Sequence, residues 1–169
     1  SKIDFKIVQN IPFKIKGYFK YALQAGKVFG NVPYSLQFNN NPSRANNYPV
    51  SADNSFETMY YNEFISTYYG QIFTYINSGR LLKSSKTFNP EIELVNNIGY
   101  DVLENKENLI NIPLNDLSKI YTESGIRFRG LFQNGFSDYG LGFFYRYGAY
   151  QESEWKKNLV VKLTYGFRF

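Results

Sequence analysis

Asn158 to Phe169 reads NLVVKLTYGFRF. Taken alternately, Leu159, Val161, Leu163, Tyr165, Phe167 and Phe169 form one row, and Asn158, Val160, Lys162, Thr164, Gly166 and Arg168 the other. A period of two is the signature of a β-strand with one oily and one polar face. The apolar row runs unbroken to Phe169, where a soluble domain usually frays into polar residues. A lipid-facing strand that closes a transmembrane β-barrel explains the pattern, since such strands alternate apolar-out and polar-in over about ten residues. The last strand of a soluble sandwich would alternate too.

Outward from this stretch the same period recurs. Tyr139–Gly148 sets Leu141, Phe143, Tyr145 and Tyr147 against Gly140, Gly142, Phe144, Arg146 and Gly148. Thr122–Phe132 sets Ile126, Phe128 and Phe132 against Glu123, Gly125, Arg127 and Arg129, and Glu91–Tyr100 sets Ile92, Leu94, Ile98 and Tyr100 against Glu91, Glu93, Asn97 and Gly99. Near the start, Lys2–Val8 alternates cleanly, and Phe13–Tyr21 gathers Lys14, Lys16 and Lys20 on one face, which must be wet. Ser55–Phe64 and Tyr69–Asn77 read as two further strands, although Met59, Tyr61, Phe73 and Tyr75 blur their faces. The expectation is an all-β, antiparallel transmembrane barrel with eight strands in this chain, as one domain over residues 1–169. Long loops fall at 26–54, which holds three of the six prolines, and at 101–120.

Composition narrows the chemistry. There are 16 Tyr and 16 Phe, but mean hydropathy is only −0.40, and no run of about eighteen apolar residues exists to form a spanning helix. Strands with one oily face reconcile the two observations. Cys and His are both absent, which removes thiolate chemistry, His-based triads and the commonest metal ligand. No cofactor or metal is expected. The net charge of +5 is spread along strands and not gathered into a run, so no nucleic-acid partner is expected. Ser1–Gln9 reads as a strand and not as a leader, which suggests that the numbered chain is part of a longer one.

On the polar faces, Glu91 and Glu93 on one strand and Arg127 and Arg129 on the next form a candidate lumen charge cluster. Residues two apart facing opposite charges are more simply structural ion pairs than general acids and bases. On that reading, reversal of Glu93 alone destabilises, reversal of Arg127 or Arg129 partly restores stability, and the inward glycines make room for long charged side chains. Phe143→Arg on the oily face should cost more than Phe144→Arg on the polar one. One conflict remains. Strand parity counted from Phe169 puts the 26–54 loop on the side of the short turns, so either the split of Ser55–Asn77 is wrong or the loop folds into the lumen.

Several stretches carry a resemblance. ETMYYNEF (Glu57–Phe64), FNPEIELVNNIGY (Phe88–Tyr100), YTESGIRF (Tyr121–Phe128) and GLGFFYRYGAY (Gly140–Tyr150), with the terminal strand, resemble the C-terminal barrel region of Bacteroidetes-type outer-membrane proteins. In those proteins a carboxypeptidase-regulatory-like domain lies upstream, and their barrels look related to the BamA and TamA surface-antigen superfamily. The resemblance covers Gly26 to Phe169. It implies that these residues are the C-terminal half of a sixteen-stranded barrel in the bacterial outer membrane, with Lys2–Val8 an interior strand. It also implies a non-enzymatic part in outer-membrane protein assembly, secretion or envelope structure. The expected partners are outer-membrane lipid, the barrel-assembly machinery and other envelope proteins. Val161, Leu163, Tyr165, Gly166, Phe167 and Phe169 resemble the C-terminal assembly signal of such barrels. The superfamily's loop motif, Arg-Gly followed by an aromatic, is matched no better than by Arg129, Gly130 and Leu131, within a predicted strand. The alternatives are a small complete eight-stranded barrel acting as a membrane enzyme, and a ligand-binding barrel with its oily face inward.

Overall fold

A computed structural model describes residues 1–13, 17–30, 32–45, 49–80, 85, 87–104 and 118–167. Lys14, Lys16, Arg168 and Phe169, and most of the 101–120 loop, lie outside them. Seven strands form one antiparallel sheet: β1 (Lys2–Pro12), β2 (Tyr18–Val28), β5 (Tyr68–Arg80), β6 (Glu91–Val102), β7 (Tyr121–Asn134), β8 (Ser137–Gly148) and β9 (Leu159–Phe167). The two remaining strands, β3 (Pro42–Arg44) and β4 (Phe56–Tyr60), pair parallel with each other off the sheet. Each neighbour in the sheet follows the last in chain order once β3 and β4 are set aside. The sheet is open among the described residues: β1 and β9 are its two edges.

The hairpin turns follow from local chemistry. Phe13 N–H donates to Gly17 O at 2.7 Å to close the first. β1 thus reaches Pro12, beyond the Lys2–Val8 read from the sequence, and β2 begins only at Tyr18, where the sequence suggested Phe13. Between β7 and β8 the two-residue link begins with Gly135 at φ +59°, the conformation a type II′ hairpin needs at that position.

One sequence-based expectation is corrected here, and one conflict is resolved. The sheet has seven strands, not eight, because Ser55–Phe64 leaves it. That segment holds β4, whose first four residues are all buried, with Phe56 and Met59 in the apolar core and Glu57 and Thr58 among polar groups. A stretch buried on both sides has no oily and polar split to display, which is why its alternation was blurred. With Ser55–Phe64 removed, the parity conflict disappears. The segment 29–67 then joins the same sheet end as 103–120 and 149–158, while 13–17, 81–90 and 135–136 join the other.

Segment 29–67 covers one face of the sheet. Phe56, Met59 and Phe64 pack there against Ala22, Phe73, Tyr75, Val95, Tyr121 and Phe144. Phe56 meets the rings of Phe73 and Tyr121 at centroid separations of 5.1 and 5.0 Å. A Cβ on Gly99 would stand 2.6 Å from Phe56, and Cβ atoms on Gly125 and Gly142 would stand 2.3 and 2.7 Å from Phe144. These glycines make room first for aromatic rings, whereas the sequence suggested charged side chains; a Cβ on Gly142 would also meet Arg127 at 3.4 Å, and one on Gly166 would meet Arg129 at 3.0 Å. The segment also reaches the edge of β9, where Ser51 N–H donates to Leu163 O and Leu163 N–H to Pro49 O.

The opposite face is apolar and bare. Ile72, Ile76, Leu94, Ile98, Leu141, Phe143, Val161 and Leu163 are all exposed there. Toward the short-connection end, exposed rings gather in contact: Phe132 with Tyr139, Tyr139 with Tyr165, and Tyr165 with Phe167, at 6.0, 5.4 and 5.1 Å. Tyr100 and Tyr147 stand at the other end of their strands.

Candidate functional site

The covered face buries an ion network between the sheet and segment 29–67. At its centre is Glu57, fully buried. Its Oε1 accepts from Ser51 Oγ, the Ala52 N–H at 3.0 Å and Arg127 Nη2 at 3.0 Å. Its Oε2 accepts from Ser43 Oγ at 2.8 Å and Lys162 Nζ at 2.7 Å. Five donors surround one carboxylate, so its lone pairs are filled from three parts of the chain. Lys162 also donates to the Ser43 carbonyl at 2.7 Å, which ties β9 to β3.

Arg127 is the hub on the sheet side. Nη1 donates to Asp53 Oδ1 at 2.8 Å and Glu93 Oε2 at 2.9 Å, while Nη2 donates to Ala52 O and Glu57. Its guanidinium lies 5.3 Å from the Tyr75 ring and 5.6 Å from that of Phe144. The planar fork suits arginine to this many acceptors in a way lysine could not match. Asp53 also accepts from Lys20 Nζ at 2.7 Å. Burial by itself would raise the Asp53 carboxyl, but Arg127 and Lys20 outweigh it and hold the group below the usual carboxylate range.

Two further anchors flank the hub. Glu123, fully buried on β7, accepts the Glu57 N–H at 2.7 Å, the Thr58 N–H at 2.9 Å, Thr58 Oγ1 and Asn97 Nδ2 at 2.7 Å. It satisfies the backbone of β4, which has no sheet neighbour to do so on that side. Arg146 on β8 takes Glu63 in a two-pronged pair at 2.6 and 2.9 Å and donates to Thr58 O at 2.8 Å. Near the long-connection end, Asn40 bonds to buried Asp101, and Asn41 donates to Gln24 and Gln71 at 2.6 and 3.0 Å. Asn41, Asn54 and Asn62 all adopt positive φ, a conformation asparagine tolerates better than other side chains with a Cβ. The Asn-rich composition of the segment thus serves both its turns and its anchoring.

The four residues of the predicted charge cluster lie on adjacent strands in register, Glu91 opposite Arg129 and Glu93 opposite Arg127. Glu93 contacts Arg127 and, at 3.4 Å, Arg129; it also accepts from Tyr18 at 2.5 Å. Glu91 stands apart from that contact and accepts from Asn77 Nδ2 at 3.2 Å. In the predicted assembly stretch, Val161, Leu163, Tyr165 and Phe167 share the exposed face of β9 and Gly166 the covered one. Asp53, Glu57 and Glu63 were missed because they sit in the segment read as loop and blurred strand. No local period marked them as partners of the sheet's buried cations.

Chemically the network is a clamp. Glu57, Glu93 and Glu123 are filled by donors and covered by chain, Asp53 is half-exposed but paired, and a cavity of about 230 Å3 bordered by Asp53, Arg127, Arg129 and Thr164 holds charges already paired. Comparison with protein-family models, curated proteins and solved structures finds no match for this chain. Beyond the residue resemblance noted in the sequence, the functional reading therefore rests on the physical arrangement. The same geometry revises the charge-reversal expectation: Arg127 serves Glu57 and Asp53 as well as Glu93, so its reversal cannot rescue Glu93.

Proposed function

We propose that the chain is part of the wall of a bacterial outer-membrane β-barrel, with the exposed apolar face in lipid and segment 29–67 inside the lumen. The observation that carries this is the inversion of the two faces: the face with Glu57, Glu93, Glu123, Arg127, Arg146 and Lys162 is buried, and the aliphatic face is bare. Monomeric soluble proteins seldom expose apolar patches beyond a few hundred Å2, and this one crosses the strands of a seven-stranded sheet. Aliphatic residues between two aromatic rims fit the membrane band of such barrels, and long connections at one end with short ones at the other fit their extracellular and periplasmic sides. A ligand-binding barrel with its oily face inward needs the reverse arrangement.

The role is non-enzymatic, in outer-membrane protein assembly, secretion or envelope structure, as the resemblance to the BamA and TamA superfamily implies. Every residue of β1 is exposed, and its outer edge is free among the described residues, where a further strand of a sixteen-stranded barrel would pair. The filled lumen favours a scaffold over a wide pore. Expressed in a Gram-negative host, the protein should fractionate with the outer membrane, and removal of Phe169 should lower its level there and expose it to periplasmic proteolysis. Recovery in the soluble periplasm would contradict the membrane reading, and an unchanged level after truncation would contradict the assembly signal.

A further inference from the structure

One stretch of segment 29–67 does not stay on the covered face. At Pro49–Ser51 the chain enters the plane of the sheet and lies against the outer edge of β9. Leu163 N–H donates to Pro49 O at 2.5 Å, and Ser51 N–H donates to Leu163 O at 2.8 Å. Val50 sits beside Leu163, which itself faces Leu141, and all three side chains are exposed. This short strap therefore continues the bare apolar row by one residue.

The strap differs from a wall strand in direction and in length. It runs parallel to β9, whereas every pair in the seven-stranded sheet is antiparallel. It also bridges a single residue of the nine in β9. In an edge strand alternate residues turn both backbone groups outward, so Val161 and Tyr165 present theirs on the same side as Leu163. Those groups have no partner among the described residues. In hydrocarbon each of them needs one, which is why membrane barrels have no open edge. β1 does not fit the place. Seven antiparallel strands in a row leave β1 and β9 running the same way, and bacterial barrels close by antiparallel pairing of an even number of strands.

We infer that the outer edge of β9 is the closing seam of the barrel, that its partner is a further strand of the same barrel running antiparallel to it, and that Pro49–Ser51 covers the seam until that strand displaces it. A full-length strand offers partners to every outward group of β9, where the strap offers two hydrogen bonds. Until then a covering loop guards the edge against pairing with another chain. Release does not undo the clamp, because Ser51 Oγ and the Ala52 N–H both stay on Glu57 Oε1. Lys162, next to Leu163 on β9, likewise keeps Glu57 and Ser43 on the covered side. This inference rests on the membrane reading proposed above.

The test places Val50→Cys and Leu163→Cys, singly and together, in the full-length protein and refolds it into lipid vesicles. The reduced pair should fold as the single variants do, and once folded it should not cross-link when oxidant is added, because the strap has left the seam. Oxidised in detergent before it meets lipid, the pair should form its disulfide, and the pinned protein should fail to reach the protease-resistant folded state until reductant is added. Cross-linking in the folded protein, or equal folding of the pinned and reduced forms, makes the strap a permanent part of the wall and overturns the inference. Absence of the disulfide in detergent overturns it too, since the strap would then never cover the seam. So does a covalent dimer formed by Leu163→Cys alone in vesicles, which would assign the seam to a second copy. Wild type gives a reading without substitution: in the folded protein amide hydrogen exchange should be slow at Leu163 and fast at Ser51, and slow exchange at both overturns the inference. A chain that stays monodisperse without detergent overturns the membrane reading itself, whereas a detergent-dependent protein that keeps its strap on β9 overturns only this inference.

Discussion

Glu57→Ala should destabilise the protein by about 3–5 kcal/mol, the usual cost of removing one partner from a buried ion pair and leaving the other uncompensated. The carboxylate is shared by Arg127 and Lys162, both almost fully buried. Its loss leaves Lys162 without a carboxylate among the described residues and takes one of three from Arg127, and the Ser43, Ser51 and Ala52 donors lose their acceptor as well. The effect should be local before it is global. Segment 29–67 should become open to protease in detergent at denaturant concentrations where the sheet still holds. Lys162→Met on top of Glu57→Ala removes the stranded charge and should recover part of the loss. A Glu57→Ala protein that unfolds within about 1 kcal/mol of wild type, the range of an exposed pair, would show that the network does not hold the segment.

Phe143→Arg should cost about 2–4 kcal/mol, as a cation at the lipid midplane of a barrel does, against roughly 0–1 kcal/mol for the same change near an interface. Phe143 stands midway along β8, on the bare face, while Tyr147 on that face lies close to the strand end. Reversible unfolding of the three proteins in lipid vesicles should rank wild type, Tyr147→Arg and Phe143→Arg in falling stability. Equal costs at the two positions would mean that depth is irrelevant and the face is wet. Phe144→Arg is no mild control, contrary to the expectation from alternation. Phe144 is enclosed between Gly125 and Gly142, with the Arg127 guanidinium 5.6 Å from its ring centroid. A second guanidinium there would lose the ring's packing and face a like charge.

Alternation made the long strands legible, because each meets two different environments and its sequence records both. Leu141, Phe143 and Tyr145 against Gly140, Gly142 and Arg146 is such a record, and the exposed and covered rows follow it residue by residue. Of segment 29–67, the part up to Asn54 was legible only as a loop rich in Asn and Pro, and Ser55–Phe64 was read as a strand of the sheet, which it is not. The segment's contacts are side chains to a distant sheet: Ser43 to Lys162, Glu57 to Arg127, Glu63 to Arg146. No local period encodes such pairings. Glu93 and Arg127 could be matched from strand order and parity, but the acids that complete the hub come from outside the sheet and could not be placed before the fold was known.

The central claim is that the bare face meets lipid and the charged face does not. The chain has no cysteine, so single cysteines carrying a spin label can be placed without other changes. Labels at Leu94, Ile98, Leu141, Phe143, Val161 and Leu163, all outward and exposed, are then compared in lipid vesicles. Each should collide readily with oxygen dissolved in the bilayer and be shielded from a water-soluble nickel complex, with shielding greatest near the strand centres. Ready collision with nickel at all six positions would place this face in water and contradict the account.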